Sequence, residues 1–156
     1  MPLVRILVDG FSLLHAWPEL ARGKARHSAG ARDELVYALR RYGDSIGTPI
    51  TVVFDGAGPA ANVGIELPST PEMEIIYSKA GQTADDIIER VTAKLVAYGE
   101  VLVVSNDFAE RDTVISFGGN VCSCEAFISM IKSSVGEFQK QLQNYNRTEL
   151  KRFKKS

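Results

Sequence analysis

Short runs of branched apolar residues recur along the chain, and longer stretches between them repeat their apolar residues every three or four positions. Leu3–Val8, Ile50–Phe54, Met73–Tyr77 and Val101–Val104 are runs of the first kind, and Asn120–Cys122 is a shorter one. Runs this short and this apolar read as strands buried on both faces, the pattern of a parallel sheet. Stretches of the second kind predict helices. Leu35, Leu39, Tyr42 and Ile46 form one stripe between Ser28 and Ile46; Arg32 lies on it one turn earlier. An arginine there must emerge past the sheet edge or meet an acid. Ala84, Ile88, Val91, Leu95 and Tyr98 form a second stripe from Thr83 to Tyr98, with Thr83 and Asp86 as an acidic capping box. Helices are also expected over Phe108–Phe117 and from Ser123 to about Asn144. Residues 57–71 carry Gly and Pro without periodicity and read as a long loop.

Helices that cross over between buried strands imply an α/β fold. The expected architecture is a three-layer α/β/α sandwich with a mainly parallel sheet of four to five strands. At 156 residues the chain is one domain, expected over 1–145, with a basic tail at 146–156. No apolar run approaches the roughly 18 residues of a membrane span, and Asp9 interrupts the N-terminal run, so the expected compartment is the cytoplasm. The net charge of −1 argues against a broad basic surface. Cys122 and Cys124 are two ligands where a structural zinc site needs four, and read as reduced thiols.

Chemistry enters with the acids. Three strands end in an aspartate or run into one: Asp9, Asp55 and Asp107. Alone, each suits a turn or a helix cap. In a parallel sheet all three share the carboxyl edge, where ligands gather. At about 100° per residue, Asp85 flanks the apolar stripe of its helix while Asp86 points to solvent. Glu89, one turn beyond Asp85, is placed to join or buttress the group. Clustered carboxylates repel unless a cation neutralises them, and oxygen-only donors favour Mg²⁺ or Mn²⁺. That is the chemistry of phosphodiester hydrolysis. The chain has no dinucleotide-binding or Walker glycine loop and no nucleophile elbow. Its only histidines, His15 and His27, have no evident partners for metal-free acid–base cleavage. Asp55 would suit a receiver-like phospho-acceptor, but no lysine follows the fourth or fifth strand.

The order and spacing of several short motifs resemble the YacP-like NYN-domain family, a branch of the PIN-like nucleases. They are Leu7-Val8-Asp9-Gly10, Ala16-Trp17-Pro18-Glu19-Leu20, Ala31-Arg32-Asp33, Val52-Val53-Phe54-Asp55, Thr83-Ala84-Asp85 with Ile88-Glu89, Ser105-Asn106-Asp107 and Phe117-Gly118. Together they span residues 3–135. The resemblance implies a PIN-like sandwich and a Mg²⁺- or Mn²⁺-dependent endoribonuclease, with Asp9, Asp85 and Asp107 as catalytic metal-holding acids and Asp55 as a further or outer acid. It makes Arg32 a positioning residue for the acids or for phosphate, and sets Lys79 and Asn106 towards the substrate. Where the family usually has Asn, this chain has Ser12, which would hydrogen-bond a metal-bound water or phosphate. The implied substrate is single-stranded RNA, including messenger RNA, with the ribosome as an implied partner. The alternative is a PIN-like module that binds RNA or a ribosomal partner without cutting.

Overall fold

Branched side chains at alternating faces build five strands: β1 (Leu3–Asp9), β2 (Ile50–Phe54), β3 (Met73–Tyr77), β4 (Glu100–Val104) and β5 (Asn120–Cys122). They form one sheet in the order β3-β2-β1-β4-β5, with every pairing parallel. The computed structural model describes residues 3–21, 23, 25, 28–56 and 69–135. Most of the expected loop over 57–71, the end of the last helix near Asn144, the domain boundary after 145 and the tail at 146–156 lie outside the described residues.

The helices are α1 (Gly10–Ala16), α2 (Ala29–Ile46), α3 (Ala84–Leu95) and α4 (Phe108–Ser116), with a single 3-10 turn at Pro18–Leu20. A fifth, α5, runs from residue 124 to the last described residue, 135. Ile6, Val8, Val52, Phe54 and Val104 face α1, α2 and α5, packing with Leu13, Leu35, Leu39 and Phe127. Leu7, Val53 and Val103 face the other way, against Ala84 and Ile88 of α3 and Val114 of α4. This makes three layers, and it explains why β1 is apolar at consecutive positions: Ile6, Leu7 and Val8 are all buried. Each such side chain contributes about 1.5–3 kcal/mol by leaving water.

From β1 the chain winds outward through β2 to β3, then returns through α3 to place β4 on the opposite side of β1. The winding therefore reverses between β1 and β4, and in open parallel sheets a crevice opens at such a point. Asp9 ends β1 beside it.

The helix α3 ends earlier than its periodicity predicts, and the stripe of α2 is exposed at its last position although the helix reaches Ile46. α3 stops at Leu95: the Val96 N–H still reaches Thr92, but Tyr98 turns back to donate to the Leu95 carbonyl. Tyr98 is consequently 76% exposed. Ile46, in the last turn of α2 before the left-handed Gly47 (φ 68°), is also exposed. No helix among the described residues is long and apolar enough to cross a membrane.

Candidate active site at the switch point

Asp9 is held by its own helix. Its side chain caps α1, accepting from the Ser12 N–H at 3.3 Å and from the Ser12 hydroxyl at 3.0 Å. Glycine at position 10 lets the Phe54 ring pack against this turn, because a Cβ there would fall on the ring. Asp85 arrives from the first turn of α3. The Thr83–Asp86 capping box fixes that turn, and Asp55 strengthens it by accepting from the Ala84 N–H at 2.8 Å and the Ser78 hydroxyl at 3.1 Å. Asp86 is spent on the cap, and Asp85 is left free to turn inward.

The third acid is Glu110. One carboxylate oxygen from each of Asp9, Asp85 and Glu110 lies within 4.8 Å of the others. Glu110 is only 1% exposed. Its Oε2 accepts from the buried Ser105 hydroxyl at 2.7 Å, while Oε1 is buried and meets no donor among the described residues. Burial, followed by the charges of Asp9 and Asp85, pushes the Glu110 carboxyl up to about 9. At neutral pH without a cation the protonated carboxyl is therefore favoured. Burial also raises Asp9, with the Asp85 charge adding to it. Asp85 is raised by burial and then by the charges of Asp107 and Asp55.

Three oxygen donors, one buried and orphaned, with no cation among the described residues to offset them, fit a hard divalent ion. They would suit neither a soft metal nor a phosphate. Asp107, expected as a member of this group, stands at its rim. Its Oδ1 caps α4, accepting from Ala109 and Glu110 N–H groups at 2.9 and 3.3 Å. It thereby sets the pitch at which Glu110 enters. Asp55 is likewise a rim acid that positions α3. Glu89 is half-buried one turn below Asp85 and is not in the trio.

Sequence reasoning passed over Glu110 and Ser105. The Asp107–Glu110 spacing looks like local helix capping, which is surface chemistry. A second signal was present: Glu110 lies four residues before the buried Val114, so it occupies the apolar stripe of α4.

A model of the YacP-like NYN domain family matches residues 6–156. The chain belongs to the YacP-like NYN domain family. NYN domains are nuclease-type domains. A protein of Bacillus subtilis (strain 168) called Uncharacterized protein YacP is 31% identical over 115 residues, which cover 72% of this chain and 66% of that relative. The chain thus spans slightly less than two thirds of the relative's length. Crystal structures of Rae1 (YacP) from Bacillus subtilis share the fold. A tryptophan-to-leucine mutant superposes with a TM-score of 0.75 at 24% identity, covering 91% of this chain and 82% of that one. A second Rae1 (YacP) structure gives a TM-score of 0.72 at 21% identity, covering 96% and 84%.

The remaining residues of this NYN domain that were assigned to substrate have distinct placements. Ser12 turns its hydroxyl to Asp9. Asn106 spans β4 and α5, accepting from the Cys124 N–H at 2.8 Å and donating to Glu125 at 3.1 Å. Arg32 meets no acid among the described residues: its guanidinium lies 6.0 Å from the centroid of the Tyr77 ring, on the edge strand β3, and its Nε is buried without a hydrogen-bond partner among them. Lys79 is exposed in the turn between β3 and α3. Cys122 and Cys124 are both free thiols, and burial raises both, Cys124 to about 12.

Proposed function

We propose that this protein is a metal-dependent endoribonuclease that hydrolyses single-stranded RNA in the cytoplasm, with messenger RNA as substrate and the ribosome as a partner. One observation carries the reading: three carboxylates converge at the switch point, one of them buried with an orphaned oxygen. Asp9, Asp85 and Glu110 would hold Mg²⁺ or Mn²⁺, with Asp107 and Asp55 as outer acids. When bound, such an ion supplies an activated water and stabilises charge on the phosphoryl group. The chain's own part is to keep the donors in place. Ser12 orients Asp9, the capping box and Asp55 orient Asp85, and Ser105 with the Asp107 cap orients Glu110. Glu110 holds a proton until a cation replaces it. Hydrolysis in this manner leaves a 5′-phosphate and a 3′-hydroxyl.

The test is cleavage of a labelled single-stranded RNA in Mg²⁺ or Mn²⁺. Wild type should cut, and Asp9→Asn and Asp85→Asn should lose more than about 100-fold of the rate. Equal rates in all three would refute the reading. A second reading, RNA binding without cleavage, rests on Ser12, whose hydroxyl is committed to Asp9. It requires that wild type bind RNA and leave it intact under the same conditions.

A further inference from the structure

Phe108 opens α4 directly after Asp107, and its ring is 75% exposed. An aromatic ring left so far in water forgoes the burial free energy that such side chains normally contribute. It is not alone: the Arg111 guanidinium lies 5.3 Å from the ring centroid. Arg111 has no carboxylate partner among the described residues, and its charge partly opposes the burial that raises the Cys122 thiol, which places it towards the end of β5. An exposed ring beside an uncompensated cation therefore sits on the first turn of the same helix that carries Glu110 into the acid trio.

We propose that Phe108 and Arg111 form a stacking subsite for one unpaired nucleotide of a single-stranded RNA, outside the cleavage position. This rests on the ribonuclease reading and adds to it where a flanking base goes. A base has a π-face whatever its identity, and an arginine beside the ring suits the adjoining phosphate. The offset follows from helix geometry. Phe108 follows the rim acid Asp107 at the start of α4 but lies about 200° around the helix from Glu110, on the far side of the first turn, so the ring suits a base flanking the cleavage position and not the reacting phosphate. A paired base has its faces covered by its neighbours and cannot stack there, so the subsite favours single strands over duplex.

Binding without cleavage separates this claim from the one beneath it. Fluorescence anisotropy with a short single-stranded RNA, in an Asp9→Asn background, compares Phe108 with Phe108→Leu. Loss of one base–aromatic stack is expected to weaken binding roughly 5- to 100-fold. An abasic nucleotide moved along the RNA should weaken the Phe108 protein at one position and leave the Phe108→Leu protein indifferent there. Phe108→Trp should keep the affinity, with indole emission quenched by RNA. Equal affinity of the Phe108 and Phe108→Leu proteins, or additive effects of Phe108→Leu and every abasic position, would overturn the subsite while leaving the nuclease intact; the exposed ring would then belong to a protein contact. Absence of RNA binding by the Phe108 protein, with Asp9 either substituted or intact, would overturn both.

Discussion

The sheet carries two polar clusters, and they are built on opposite rules. Towards the amino ends of the strands, Arg5 of β1 donates to the Thr51 hydroxyl of β2 at 2.8 Å and to the Pro71 carbonyl at 3.2 Å. Thr51 passes the chain on to Glu74 of β3 at 3.1 Å. A cation and an acid there sit at two ends of one hydrogen-bonded row. At the carboxyl ends, Asp9, Asp85 and Glu110 put three acids together, and Glu110 keeps one oxygen without a donor. The first cluster completes itself from within the fold. The second leaves an acceptor unmet and could hold a metal ion. The self-satisfied row and the candidate site lie at opposite edges of the same strands.

The largest expected effect separates the two edges. Asp85→Asn should reduce RNA cleavage more than about 100-fold, yet leave the apo protein as stable or more so, because a repelling charge is removed from two neighbours. Thermal unfolding measured beside cleavage checks both halves. Thr51→Val should do the reverse. It interrupts the row between Arg5 and Glu74 and should cost about 1–3 kcal/mol of stability, read by urea unfolding, with the metal-dependent rate per folded molecule unchanged.

A pH series sharpens the contrast further. Glu110 titrates near 4.5 when unfolded and at about 9 when folded, raised chiefly by burial. Between those values the native state binds more protons than the unfolded state. Stability without a divalent ion should therefore fall as pH rises from about 5 to 9, and Glu110→Gln should flatten that slope. Divalent affinity should rise over the same range, since the ion must displace the proton. The smallest effect is expected at Ser105→Ala. Removing the hydroxyl that donates to Glu110 should weaken Mn²⁺ binding by about 10-fold, because outer partners tune the ligands they orient.

The layered fold was legible because strands buried on both faces leave an unambiguous run: β1 could be read from Ile6, Leu7 and Val8 alone. Two of the three acids were legible too. Asp9 ends a strand, and the helical wheel separates Asp85 from Asp86, which the capping box then claims. Glu110 was not found, because its burial depends on a contact across the β4–α4 turn, where Ser105 bonds it. Asp107 drew attention instead, since capping and metal binding use the same residue at the same place. Arg32 shows the same limit. Its position on an apolar stripe was visible, but the ring that receives it, Tyr77, comes from a strand 45 residues later. Pattern reveals which face a side chain occupies; it does not reveal its partner across the fold.

The most direct test is a Mn²⁺ titration followed by electron paramagnetic resonance, on wild type, Asp9→Asn and Glu110→Gln at a fixed pH above neutrality. The expected result is saturable binding by wild type that each substitution weakens at least about 10-fold. Identical titrations in the three proteins would contradict the assignment of Asp9, Asp85 and Glu110 as the metal centre.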